Sequence, residues 1–213
     1  MVKDYSPYFV YLPKEELERK ALKDLKTKKT EMSPLSGSEP KYEPKKWNDN
    51  PRIKDGHNCY SYAVDQRFSG RSGKPQPGYY SGFNHLGESE YSCSNFRKRL
   101  NRDFPSFYLS SFSNKCLGGF HKGFLTYVSK LGDRDYHFYR EDKNGLWSHK
   151  PGRTEAINYD SDNNLIKDPL KANRDYNYFN YDNACFFFCV NKKLGHAHSK
   201  TVNSKKSFFN FNF

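Results

Sequence analysis

The sequence predicts an α+β domain, and three observations carry that prediction. Helical spacing and helix-start signals dominate the chain up to about Gly118, whereas period-two alternation takes over beyond it. Only 35% of the 213 residues are hydrophobic, yet 17% are aromatic, with 17 Tyr and 18 Phe, so the core must be built from rings more than from aliphatic side chains. One core of this length closes a single domain with tails. The expected architecture is a helix carrying Cys59 packed on an antiparallel sheet that holds His137 and His149, with an N-terminal helical arm and a basic C-terminal tail.

Taken in order, Pro13 to Lys29 reads as a helix, with Pro near its start, Glu15, Glu16 and Glu18 in the first turn, and Leu17, Ala21, Leu22 and Leu25 along one side. Thr30 to Trp47 lacks apolar periodicity and reads as an extended linker. Residues 1–46 are therefore assigned to an arm and linker, 47–190 to the domain, and 191–213 to the tail. Asn58 to Phe68 and Ser94 to Arg102 are helix candidates, with a Gly/Pro-rich loop from Arg71 to Tyr80 between them. Gly123–Ser129, Asp135–Arg140 and Leu146–His149 alternate as three antiparallel strands, and Ala184–Val190 is a fourth, more buried one.

The longest uncharged apolar run, Ala184 to Val190, has seven residues against the roughly 20 that span a bilayer, so no transmembrane segment is expected. The N-terminus has no basic region followed by an apolar stretch, and five cysteines is an odd number; together these predict free thiols in a reducing, non-secreted compartment. Of the net charge of +12, nine units lie in residues 1–54 and 191–213, which marks the two ends as contact arms for partner proteins. Tyr79, Tyr80, Phe83, Tyr91 and Phe96 interleave with Arg97, Lys98, Arg99 and Arg102 in the manner of single-strand nucleic-acid binders; core packing plus a solvated helix face explains the same stripe.

The chemistry concentrates around Gly56-His-Asn-Cys-Tyr-Ser-Tyr-Ala63, which puts Cys59 at the start of a helix behind an Asn able to cap it. Unpaired N–H groups and the helix dipole lower a thiol pKa at such a place, and the Cys59 N–H with the Asn58 side chain would receive an oxyanion. A thiolate nucleophile needs a base, and His137 on a facing strand supplies one, with His149 on the next strand to orient it. Register decides whether the two histidines meet. A two-residue turn at Asn144-Gly145 pairs Arg140 with His149 and separates them, whereas a three-residue loop Lys143-Asn-Gly145 pairs Tyr139 with His149 and puts both on one face. Gly at the third loop position suits the second arrangement. Asp168 is an alternative orienter, although Asp168-Pro169 is also a turn signal. Cys185, Cys189, His196 and His198 have zinc-ligand types, but the cysteines sit in an apolar strand and read as buried residues; no metal and no cofactor is called for.

The order Cys59, His137, His149 resembles the papain-like fold, and in particular the compact bacterial cell-wall cysteine peptidases. The chain departs from them with His57-Asn-Cys-Tyr60, where those proteins have an acid before the Cys and small residues after it. Asn58 to Ala63, Pro75 to Gly78, Asp135 to Gly152, Ile166 to Arg174 and Phe186 to Val190 also resemble a little-characterised group of proteins from large DNA viruses and some bacteria. These resemblances imply a papain-like cysteine hydrolase of amide bonds, with Cys59 as nucleophile, His137 as base and His149 as orienter. They further imply a place in a virion, or in the host cytoplasm during assembly. The rival expectation is a catalytically silent minor capsid protein that uses the same fold and binds other virion proteins through its two arms.

Overall fold

The computed structural model describes residues 32–67, 74–83, 86–128, 134–176 and 178–195. The expected helix from Pro13 to Lys29, and most of the basic tail, lie outside them. The described part is an α+β fold: a five-stranded antiparallel sheet in the order β1-β5-β2-β3-β4 with short helices packed against it. The strands are β1 (Tyr108–Ser110), β2 (His121–Tyr127), β3 (Tyr136–Glu141), β4 (Trp147–His149) and β5 (Asn183–Val190). The α-helices are α1 (Lys45–Asn48), α2 (Pro51–Gly56), α3 (Cys59–Ala63) and α4 (Cys93–Asp103).

Each sheet face has its own ring core. Tyr60, Tyr80, Phe96, Phe104, Phe138 and Phe188 pack on the side covered by α3 and α4, and Phe124, Tyr139, Trp147, Ile166 and Phe187 pack on the other. Residues on β3 divide between these faces by the period of two: Tyr136 and Phe138 point to the first, His137 and Tyr139 to the second. Gly123 is needed where it stands, because a Cβ there would sit 2.3 Å from the ring of Phe188.

The β3–β4 hairpin has the register that the three-residue loop predicts: Tyr139 pairs with His149 and Glu141 with Trp147. Gly145 takes φ +79°, Asp142 N–H donates to the Leu146 carbonyl at 2.9 Å, and Gly145 N–H donates to the Asp142 carbonyl at 2.8 Å.

Three expectations are corrected. The stretch read as a linker is bound to the domain: Ser33 and Glu39 are buried, the Ser36 hydroxyl donates to the Phe120 carbonyl at 2.6 Å, and Lys143 N–H donates to the Pro40 carbonyl at 2.8 Å. The domain therefore starts by residue 33 rather than 47, and it continues past 190, where the Gln66 amide donates to the Lys192 carbonyl at 2.9 Å. The helix expected over Asn58–Phe68 stops at Ala63, since Asp65 takes φ +52°.

The third correction concerns the cysteines. Cys93 bonds Cys185 and Cys116 bonds Cys189, across 92 and 73 residues, and Cys59 alone is free. The odd count misled because one thiol is set apart from two pairs. Disulfides persist in oxidising compartments, so the reducing, cytoplasmic expectation is overturned. Loops of this length place each bridge in the range of roughly 4 to 5 kcal/mol of chain-entropy stabilisation. Both bridges hold β5. Cys185 sits where the β2–β5 register shifts, between Leu125↔Phe186 and Thr126↔Ala184.

Candidate active site

The loop before α3 is fixed by reciprocal capping: Ser61 N–H donates to Asn58 Oδ1 at 3.2 Å, and Asn58 N–H donates to Ser61 Oγ at 3.0 Å. Asn58 Nδ2 donates to the Pro75 carbonyl at 2.9 Å. The Asn58 side chain is thus committed at both ends, which leaves the Cys59 N–H as the expected oxyanion donor. Tyr60 turns away from the site into the core, where its hydroxyl donates to Asp103 at 2.5 Å. The bulk of Tyr60 at this position is absorbed by packing.

Cys59 faces β3, with its thiol directed at the Tyr136 carbonyl at 3.8 Å. That carbonyl belongs to the residue before His137, whose ring leaves β3 toward the other face of the sheet, so thiol and histidine pair share this strand without a hydrogen bond between them. The two histidines meet as the register requires: His137 Nε2 and His149 Nδ1 are 2.7 Å apart, with rings perpendicular at 87°. His149 Nε2 lies 2.9 Å from the Tyr159 carbonyl.

These contacts set the protons. A carbonyl only accepts, so His149 carries its hydrogen on Nε2 toward Tyr159. Burial pulls its pKa down to about 4, which keeps the ring neutral at pH 7 and leaves a lone pair on Nδ1. His137 must then donate from Nε2, and its own pKa is pushed well below the ordinary value by burial and by the His149 charge. Its Nδ1 is left as a lone pair, the state a general base requires.

The thiol departs from expectation. Burial, with a further contribution from the charge of Asp135, pushes Cys59 up to about 12. Helix α3 has only five residues and spends its first N–H groups on its cap, so it does not offset the loss of solvation. The resting thiol is neutral and hydrogen-bonds the Tyr136 carbonyl rather than either imidazole, so no preformed thiolate is present.

The site is also closed. Cys59 is 5% exposed, His137 2% and His149 0%. A hairpin covers it, built from the Asp175↔Asn180 bridge and a Tyr181 N–H to Arg174 carbonyl bond of 3.1 Å. Tyr181 lies 5.0 Å from the His137 ring, and Tyr176 lies 6.0 Å from the His149 ring. The Tyr181 hydroxyl donates to Asp135 Oδ2 at 2.7 Å. Thr126, opposite His137 on β2, holds the root of the hairpin by donating to the carbonyls of Tyr181 and Asn183. The sequence reading missed Tyr181, Tyr176 and the Tyr159 carbonyl; the Tyr- and Asn-rich run from Tyr176 to Tyr181 was the available signal.

Asp168 is placed elsewhere. It accepts from Leu170 N–H at 3.0 Å and pairs with Lys171 at 3.5 Å, which is the turn reading of Asp-Pro. Cys185 and Cys189 are disulfide sulfurs and offer no thiolate to zinc, while His196 and His198 lie outside the described residues. The aromatic and basic stripe is divided: Tyr80 and Phe96 are core residues, Arg99 forms a bidentate pair with Glu90, and Arg102 sits 4.0 Å over the Phe83 ring. No helix among the described residues is long and apolar enough to cross a membrane.

Fold and site together define a disulfide-bonded α+β protein with a free cysteine at a helix start and a paired-histidine relay on the adjoining hairpin. The chain is 35% identical to insoluble matrix shell protein 1 of Ruditapes philippinarum over 137 residues, 63% of this chain and 81% of that protein, and it belongs to that protein's family. No family model and no solved structure matches it. The relative is a shell matrix protein, so the expectation of a virion or capsid protein is overturned, and with it the expected location in a virus particle.

Proposed function

We propose that the domain is a papain-like cysteine hydrolase of amide bonds, held closed at rest, that works among the proteins of an extracellular matrix. The ordered proton chain from His137 to His149 to the Tyr159 carbonyl carries this reading. Two buried imidazoles are costly to desolvate, and a core without a chemical task would fill that space with apolar groups. In the reaction, the Cys59 thiol passes its proton to His137 Nδ1 as Sγ attacks the carbonyl carbon. The imidazolium, steadied by His149, returns that proton to the leaving amine, and water then cleaves the thioester with His137 again as base. The Cys59 N–H is the donor nearest the developing oxyanion.

Iodoacetamide applied without reductant is expected to modify Cys59 alone, because the other four cysteines are paired. Cys59→Ala is expected to abolish release of amine from a library of matrix-derived peptides. Turnover by the Cys59→Ala protein equal to that of wild type would remove the thiol from the chemistry.

A second reading is favoured by the closure of the site and by the family. In it the domain is a constituent of an insoluble matrix that assembles with other proteins and never exposes Cys59. Absence of turnover together with resistance of Cys59 to alkylation in the folded protein supports this reading over the first.

A further inference from the structure

We propose that Lys150 is a positioning residue for this site: its ammonium group clamps the chain entering the Cys59 helix to the chain leaving His149, and so fixes the thiol against the histidine relay. The inference rests on the hydrolase reading above. Lys150 follows His149 directly, and its side chain is fully buried. Its partners among the described residues are all backbone carbonyls: Lys54 at 2.6 Å, His57 at 2.9 Å, Gly152 at 2.9 Å and Thr154 at 2.8 Å. Two of these come from α2 and the residue after it, immediately before α3. The other two come from the turn after β4.

An ammonium has three hydrogens for these four acceptors, so one is shared and none of its donors is idle. Backbone carbonyls cannot move independently of their chains, and the cage therefore sets a distance between the two segments that carry the nucleophile and the orienter. A buried ammonium is expensive, and a strut between loops needs no charge. The ionisable groups in electrostatic contact with it are Cys59 on α3, Asp55 and Lys54 on α2, His57 just after α2, and Lys74. Burial lowers the Lys150 pKa to about 7 against the opposing pull of Cys59 and Asp55, so the clamp carries its ammonium charge on the acid side of neutrality, where that charge favours ionisation of Cys59.

The test is the pH profile of Cys59 alkylation by iodoacetamide. A thiol that ionises only into solvent gains about tenfold in rate per pH unit below its pKa. A thiol that passes its proton to a neutral imidazole inside the site shows a nearly flat profile between about pH 5 and 6.5, where Lys150 keeps its proton, since no proton leaves the pair. Wild type is expected to be flat. Lys150→Met, checked for native near-ultraviolet dichroism, is expected to rise with pH at about the tenfold-per-unit slope. A folded Lys150→Met protein with the wild-type profile would overturn the assignment. If Lys150→Met fails to fold, Lys150→Ala is compared in ammonium chloride and sodium chloride; ammonium in the carbonyl cage is expected to restore the flat profile, and identical behaviour in the two salts overturns the assignment. A steep profile in wild type itself counts against the hydrolase reading, independently of Lys150.

Discussion

Replacing Tyr181 with alanine is expected to raise the rate at which iodoacetamide alkylates Cys59 by about 10²- to 10³-fold, with the sheet and both disulfides intact. The Tyr181 ring lies 5.0 Å from the His137 ring and its hydroxyl is held by Asp135, so movement of Tyr181 away from the histidine pair is the expected route by which reagent reaches the thiol. Removing the ring gives up about 2 to 3 kcal/mol of apolar burial. Losing its hydrogen bond to a carboxylate gives up about 1.5 kcal/mol more. Since each 1.4 kcal/mol is about tenfold in a population, the open form gains two to three orders of magnitude. Tyr181→Phe keeps the ring and is expected to gain only about tenfold. Equal rates in wild type, Tyr181→Phe and Tyr181→Ala would show that the hairpin is not the barrier.

The second large effect lies at the other end of the sheet, where Lys122 on β2 and Glu141 on β3 face each other with no exposure at 3.8 Å. Lys122 also donates to the Ser33 hydroxyl and to the Phe112 carbonyl, at 3.1 Å for the latter, whereas neither Glu141 oxygen has a hydrogen-bond partner. Lys122→Met leaves Glu141 as an unpaired buried carboxylate and is expected to cost about 3 to 5 kcal/mol at pH 8.

Burial raises the Glu141 pKa to about 7, and Lys122 opposes that rise. A carboxyl whose folded pKa is raised binds more protons folded than unfolded, so stability is greatest below its unfolded value near 4.5 and is lost as pH climbs through the folded value. Without Lys122 the folded pKa moves higher still, and the loss widens toward alkaline pH. Urea denaturation of Lys122→Met is therefore expected to show a clearly smaller penalty at pH 5 than at pH 8, and Lys122→Met/Glu141→Leu is expected to recover most of it. A penalty independent of pH would mean that packing, not charge, holds this pair.

Part of this was legible in the sequence because the deciding contacts are local. Lys143-Asn-Gly145 fixes the hairpin register through one left-handed residue, and that register alone brings His149 onto the face of His137. Asn58 announces the start of the Cys59 helix in the same way, whereas the reciprocal bond from Ser61 is seen only in the structure.

What stayed hidden depends on residues distant in sequence. The disulfides join positions 92 and 73 residues apart, and an odd cysteine count is uninformative when one thiol is reserved. The thiol pKa was misjudged because a helix-start argument assumes solvent and a long helix, and α3 has neither. Ser33 and Glu39 lack apolar pattern, so nothing local marked their segment as packed; it is held by the polar groups of Lys122 and Phe120. The Tyr159 carbonyl, which sets both tautomers, has no residue-type signal at all.

The central claim is the direction of the proton chain, and nitrogen NMR of histidine-labelled protein tests it most directly. Between about pH 5.5 and 8, His149 should report a protonated Nε2 and a bare Nδ1, and His137 a protonated Nε2 and a bare Nδ1, with coupling across the 2.7 Å contact. A His137 that carries its proton on Nδ1, or one that is an imidazolium in this range, would contradict the account, because the lone pair meant for the Cys59 proton would already be taken.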